Sequence, residues 1–219
     1  MSDVVRSDEI AAVILAGGLA RRMGGGDKAQ KMLAGQSLLD RILDRIRPQV
    51  GPLVINANGD PKRFSQTGLP IAPDVIEGHP GPLAGVLTGL EWVAKNYPKC
   101  EWMVSIPCDA PFIPLNLVVR LKAEMDKDGH NLACAQSHGR SHPVVGLWSL
   151  SLMEDLRQAV VDEELRKVDR WTARHGISHV DFEDVVIGDK KIDPFFNANK
   201  PLDLDEVEKL FVEDPSCKF

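Results

Sequence analysis

The stretch AAVILAGGLARRMGGGDKAQK, residues 11–31, decides the fold. Its first six residues, Ala11 to Ala16, form an unbroken apolar run. Such a run fits a strand buried on both faces, as in the middle of a parallel sheet. It stops at Gly17-Gly18. From Leu15 to Lys28 there are five glycines, two arginines and one lysine in fourteen residues. Glycine lets backbone N–H groups approach a phosphate closely. Arginine and lysine neutralise its charge. A loop that only turns the chain has no use for three cations. The loop is not a Walker A motif, because Asp27 precedes Lys28 and no Ser or Thr follows it. No GxGxxG can be drawn either.

Outward from this loop, strands and helices alternate. Ser37 caps a predicted helix to about Arg47, with Leu38, Leu39, Ile42, Leu43 and Ile46 at helical spacing. Pro48 ends it. Further strands are predicted at 52–55, 69–72, 101–106, 132–136, 144–148 and 177–180, with a last short one at Phe195-Phe196-Asn197. Helices are expected near 62–66, 83–96, 114–128, 151–161, 165–175 and 201–211. This alternation implies a three-layer α/β/α fold, Rossmann-like, with a mostly parallel sheet covered on both faces. Right-handed crossovers then bring the carboxyl ends of the strands to one edge. Gly17-Gly18, Asn56, Asp74 and Asp109 all follow predicted strands, so they are expected on one rim. The 219 residues suit one domain, 1–219, with a well-buried core.

The bulk numbers narrow the function. The chain is 43% apolar and 26% charged, with a net charge of −6. That balance argues against a general nucleic-acid or membrane surface. The four cysteines, Cys100, Cys108, Cys134 and Cys217, form no CxxC and no zinc spacing. They read as reduced thiols of a cytoplasmic protein. No signal peptide is expected at the start, and no apolar run reaches the roughly 20 residues of a membrane span.

Asp109 is the candidate metal ligand. It follows the apolar run WMVSIP and precedes Ala110-Pro111. A carboxylate at a strand's carboxyl end, facing a phosphate loop, is the hard oxygen that Mg2+ takes alongside its waters. Cys108 beside it reads as packing. No GxSxG, HExxH or CxxC is present, so no nucleophilic triad or zinc centre is expected. The polar stretch QSHGRSHP, 136–143, reads as a loop. His138 and His142 in it are not held on one helical face, and the stretch is either a plain surface loop or one that meets an anionic second substrate, with Arg140 the group for that contact. Asn197 and Asn199 suit a turn and cap before the last helix. Gly81 and Gly85 open and pack the helix near Pro82. Asp169, Arg170 and Arg174 either add charge to the acceptor site or line an exposed helix face.

The string LAGG-x3-RMGG-x-DK resembles the signature of the molybdenum cofactor guanylyltransferase family, within the wider nucleotidyltransferase group of this fold. The resemblance runs from about residue 11 to 212. It is carried further by VINAN (54–58), APD (72–74), GPLAG (81–85), PCDAPFIP (107–114), GRSHPVVGLW (139–148) and FFNANKP (195–201). It implies transfer of GMP from GTP to the molybdopterin form of molybdenum cofactor, giving the guanine dinucleotide. Leu15, Ala16 and Gly17 would hold the nucleotide by backbone, with Gly18 and Gly25 in the same site. Lys28 and Arg22 would hold the triphosphate, Asn56 and Asp74 the base or ribose, and Asp109 the Mg2+. Gly81, Gly85, Asn197 and Asn199 would lie toward the pterin or the metal. Gln30 stands where relatives carry a small or apolar residue.

Three alternatives stay open at this point. A same-fold enzyme could use CTP, or a sugar or alcohol phosphate acceptor. The second glycine of LAGG speaks for GTP, since an alanine there would crowd a purine. A nucleotide sensor would not need Lys28 together with Asp109. A module that hands product to cofactor-receiving apo-enzymes is an added role rather than a rival.

Overall fold

A computed structural model describes residues 9–17, 28–76, 78, 81–187, 189–197 and 208. The glycine-rich segment from Gly18 to Asp27 and nearly all of the last expected helix lie outside them.

The apolar run of the opening stretch is strand β1, Ile10–Leu15. Its side chains alternate between two cores, because successive strand residues face opposite sides. Ile10, Ala12 and Ile14 join one buried cluster, and Ala11 and Val13 the other. After it come a short hairpin of β2 (Met32–Leu33) and β3 (Gln36–Ser37), and helix α1 (Leu38–Ile46). Ser37 caps α1, its hydroxyl accepting from the Asp40 amide at 3.0 Å. Then follow β4 (Leu53–Asn56), a 3-10 helix at Pro61–Thr67, β5 (Ile71–Ala72), α2 (Pro82–Asn96), β6 (Trp102–Pro107) and α3 (Leu117–Asp128). The rest is β7 (Leu132–Ser137), β8 (Arg140–Ser149), α4 (Met153–Val161), α5 (Val168–Thr172), β9 (Ser178–Asp181) and a second small hairpin, β10 (Val185–Ile187) with β11 (Lys190–Ile192).

Seven strands form one sheet in the order β5-β4-β1-β6-β8-β7-β9. β5, β4, β1 and β6 are mutually parallel. β8 runs against both β6 and β7, and β7 is parallel to β9. The sheet is therefore parallel apart from β8. Residues from α1 and α3 pack in one cluster and those from α2, α4 and α5 in the other, so helices cover both faces. Trp148 and Trp171, both fully buried, stack at 5.7 Å in the second layer.

Several boundaries differ from the sequence reading, each for a local reason. QSHGRSHP is not a loop. Ser137 and Arg140 pair directly, with His138 and Gly139 turning at positive φ between β7 and β8. The expected helix at 165–175 is reduced to α5, because Lys167 is still extended at its N-cap. The helix expected at Pro114 begins at Leu117. Phe195-Phe196-Asn197 is a turn and not a strand: Asp193 Oδ1 takes the Phe195 amide at 2.8 Å and Asp193 O the Phe196 amide at 3.0 Å.

Candidate active site

The strand order reverses between β1 and β6. β4 and β5 lie on one side of β1 and β6 on the other, so the loops leaving β1 and β6 part and open a crevice. Ligands of open α/β sheets bind in such a crevice at the carboxyl ends of the strands. The sheet continues right up to it. The Ala16 amide donates to Asn56 O at 2.8 Å, and the Cys108 amide to Leu15 O at 3.1 Å. The next backbone groups, the Ala16 carbonyl and the exposed Gly17 amide, carry no backbone bond among the described residues.

Asp109 projects from an otherwise buried loop. Cys108, Ala110, Phe112 and Ile113 are all 4% exposed or less, so the aspartate is the polar exception. The outgoing limb of that loop is held by α1 and the turn after it. Arg45 Nε donates to Ile113 O at 2.5 Å, and Gln49 Nε2 donates to Pro114 O at 2.9 Å. Burial, and then the neighbouring Arg41, push the Arg45 guanidinium below its ordinary range. Lys28 arrives from the end of the glycine-rich segment. Its Nζ donates to Asp109 Oδ2, and both side chains are under one-fifth exposed. The turn bearing Lys28 is anchored by the fully buried Ala29, and Gln30 Nε2 donates to Arg63 O at 3.0 Å. Gln30 thus ties the lysine's turn to the helix at 61–67.

On the other side of β1 the buried Asn56 is fixed by its amide. Nδ2 donates to Ala72 O at 3.2 Å and to Asp74 Oδ1 at 2.8 Å. Asn58 holds the other carboxylate oxygen of Asp74 at 2.8 Å and accepts the Asp74 amide at 2.9 Å. Sequence reasoning named Asn56 and Asp74 as site residues and missed the pairing with Asn58. Its position two residues beyond Asn56, on the same loop, was the available signal. Below Asn56, a Cβ on Gly85 would sit 2.5 Å from Asn56 Oδ1 and 2.8 Å from Leu15 Cδ2. Glycine at 85 is what lets α2 lie this close to β1 and β4. Gly81 is the N-cap of α2, and a Cβ there would meet Arg166 O at 3.3 Å.

The site residues expected from sequence thus fall into two groups on the rim. Leu15, Ala16, Gly17, Lys28, Asn56, Asp74, Gly85 and Asp109 gather at the ends of β1, β4, β5 and β6 and the start of α2. Arg140 and Asn197, both exposed, lie on the far side of β6, where β7 ends and β8 begins. Phe196 joins the two groups, packing 6.5 Å from Phe112 on the Asp109 loop. Gly18, Arg22, Gly25 and Asn199 lie outside the described residues. Asp169 and Arg170 are exposed on α5, and Arg174, also exposed, lies just beyond its end. Arg174 forms a fork with Glu163 at 2.9 and 2.5 Å. Cys100, Cys108 and Cys134 are all buried. Burial raises Cys134 to about 12, against a smaller opposing effect of the His142 backbone.

The Asp109 carboxylate at this crevice fits a divalent metal that keeps most of its waters. Among the described residues no three His, Cys, Asp or Glu converge.

The MobA-like NTP transferase domain family matches residues 12–179. The chain is 52% identical over 204 residues to a molybdenum cofactor guanylyltransferase of Rhodopseudomonas palustris strain BisB5, covering 93% of this chain and 94% of that one. The chain belongs to the molybdenum cofactor guanylyltransferase family. A second guanylyltransferase, from Bradyrhizobium sp. ORS 278, is 50% identical over 201 residues and covers 92% of each chain. The fold agrees with the crystal structure of molybdopterin-guanine dinucleotide biosynthesis protein A from Archaeoglobus fulgidus. The TM-score is 0.72 at 23% identity, over 93% of this chain and 99% of that one. Enzymes of this family are nucleotidyltransferases, and nucleotidyltransferases work with a divalent metal.

Proposed function

We infer that this enzyme transfers GMP from GTP to the terminal phosphate of molybdopterin or molybdenum cofactor, releasing pyrophosphate and forming the guanine dinucleotide. The observation that carries this is the 52% identity across 93% of the chain to a guanylyltransferase. The pairing of Lys28 with Asp109 at the switch point of the sheet supports it.

An oxygen of the acceptor's phosphate monoester attacks the α-phosphorus of GTP. A P–O bond forms there, the bond from the α-phosphorus to the bridging oxygen breaks, and pyrophosphate leaves with that electron pair. The monoester is already an anion, so no strong general base is required. Positioning and charge stabilisation do most of the work. Lys28 and Arg22 neutralise the triphosphate and the charge that grows on the leaving group. Asp109 would hold Mg2+, which supplies further charge neutralisation on the phosphates when bound. Leu15, Ala16 and Gly17 hold the nucleotide by backbone, and Gly18 and Gly25 belong to the same binding site. Asn56 and Asp74, locked together, present fixed polar groups to the base or ribose. Arg140, Gly81, Gly85, Asn197 and Asn199 serve the acceptor side. The whole chain acts as one catalytic domain in the cytoplasm and passes its product in brief contacts to apo-enzymes. Four cysteines with neither a CxxC pair nor a zinc spacing suit a reducing compartment.

The test is transfer of label from α-labelled GTP, with Mg2+, to molybdopterin. The reading expects a labelled dinucleotide and one pyrophosphate per transfer. Transfer from CTP in preference to GTP would overturn the base assignment, and no transfer from either would overturn the activity.

A further inference from the structure

Ser137, His142 and Asp193 form a hydroxyl–imidazole–carboxylate group whose wiring is not that of a nucleophile. Ser137 Oγ donates to Asp193 Oδ1 at 2.8 Å and lies 2.7 Å from His142 Nε2. A hydroxyl has one hydrogen to give. With that hydrogen on the carboxylate, Ser137 Oγ must accept from His142, so Nε2 carries a proton. An activated serine has the reverse arrangement, with its hydrogen on an unprotonated imidazole nitrogen and the carboxylate on the imidazole. Ser137 is also 1% exposed, out of reach of a substrate. The three residues are a one-way chain from imidazole to hydroxyl to carboxylate.

The chain ends on the turn that carries Asn197. Asp193 Oδ1 accepts the Phe195 amide as well as the serine hydroxyl. The His142 ring lies 4.8 Å from Phe195, which also meets Phe182 edge-on at 5.5 Å. The next residue, Phe196, rests against Phe112, three residues past Asp109. The turn is thus fastened to the β7–β8 hairpin on one side and leans on the metal-side loop on the other. A second bond repeats the pattern. His138 Nε2 lies 2.6 Å from Asp184 Oδ1, so both ends of the β10–β11 hairpin, Asp184 before it and Asp193 after it, hang from the same β7–β8 corner. Burial lowers the His142 pKa, with Asp193 opposing and Arg140 adding to the effect. In the neutral form that burial favours, the Ser137 contact sets the one ring hydrogen on Nε2.

We propose that Ser137, His142 and Asp193 are positioning residues that hold the Asp193–Asn197 turn, and with it Asn197, in register with Asp109 for the acceptor phosphate. The acceptor role of Asn197 rests on the guanylyltransferase reading. The holding of the turn does not.

The test uses the full chain and the variants Ser137→Ala, Asp193→Ala and Asp193→Asn. The asparagine keeps an oxygen that can accept both bonds. Hydrogen exchange of the Phe195 and Phe196 amides is expected to rise about tenfold in both alanine variants and to stay within about twofold of wild type in Asp193→Asn, as loss of one buried hydrogen bond predicts. The KM for molybdopterin is expected to rise by a similar, roughly tenfold factor while the KM for GTP holds. Nitrogen-15 spectra should place the His142 hydrogen on Nε2. Unchanged amide exchange in both alanine variants, an Nδ1–H imidazole, or an Asp193→Asn variant as impaired as Asp193→Ala would each overturn the proposal. Should wild type transfer no GMP, the functional reading falls, and the exchange rates and the imidazole tautomer still decide this one.

Discussion

On one side of β6, Gly17, Lys28, Asn56, Asp74 and Asp109 sit on loops that leave parallel strands, or just beyond them. On the other side, Ser137, His142 and Asp193 sit on and beside an antiparallel hairpin. Chain direction alone assembles the first group, since parallel strands must deliver their outgoing loops to one edge. The second group needs a reversed strand, β8, whose start returns to the same edge, and an aspartate 56 residues from its serine. The first side gathers charge: an ammonium on a carboxylate, and a carboxylate clasped by two amides. The second gathers shape, with phenylalanine rings and one committed hydrogen-bond chain. A phosphoryl-transfer site needs both, charge where the nucleotide reacts and a fixed seat for the acceptor.

This contrast yields an order of effects. Asp109→Ala and Lys28→Met should each lower the GMP-transfer rate by about 10²–10³, the cost of removing one charge-stabilising group. Circular dichroism should stay that of wild type. Lys28→Arg should not rescue, because a fork cannot replace a compact ammonium. A loss from Ser137→Ala as large as that from Asp109→Ala would break the division between the two sides.

A pair of glycines sharpens it. A Cβ on Gly85 would meet Asn56 Oδ1 at 2.5 Å, whereas on Gly89 it would meet Val13 Cβ and Met103 Sδ at 2.8 Å. Overpacking costs about 1–3 kcal/mol, and for a chain of this size each kcal/mol lowers Tm by about 2–4 °C. Both alanine variants should melt lower in a thermal scan. Only Gly85→Ala should also weaken GTP binding, because only it displaces Asn56.

Asn58→Ala should come next. Asn58 is exposed and makes two bonds to Asp74. GTP should bind about 3–10-fold more weakly by titration calorimetry, with Tm unchanged.

The smallest effect belongs to His142. Its pKa is lowered in the fold, by burial first, and the charged groups facing it are Asp193 and Arg140. As pH falls below its ordinary value of 6.5, the unfolded chain takes the proton before the folded one does. Stability is then full above about 6.5 and declines toward the folded pKa. His142→Gln should flatten that part of the Tm-against-pH curve.

The two sides were also unequally legible in the sequence. β1 and α1 could be read from a buried apolar run and a helical stripe with a serine cap, and Asp109 from its place after an apolar strand. These signals are local. The β2–β3 hairpin was missed because its strands are two residues long, Met32 is exposed, and the turn is made by Ala34 and Gly35 at positive φ. Phe195-Phe196-Asn197 was read as a strand because two phenylalanines carry high strand propensity. The bond from Asp193 to the Phe195 amide outweighs it. Arg41 and Arg45 lie on the apolar helix α1, where their charge gives no hint of the buried carbonyls they bind, Leu33 O and Ile113 O. Partners distant in sequence leave no periodicity to read.

The most direct test of the account is titration calorimetry of GTP and CTP, each with and without Mg2+, on wild type and on Asp109→Ala. The account predicts that GTP binds more tightly than CTP, that Mg2+ strengthens GTP binding to wild type, and that Asp109→Ala loses that Mg2+-dependent gain. Tighter binding of CTP, or an undiminished Mg2+ effect in Asp109→Ala, would contradict it.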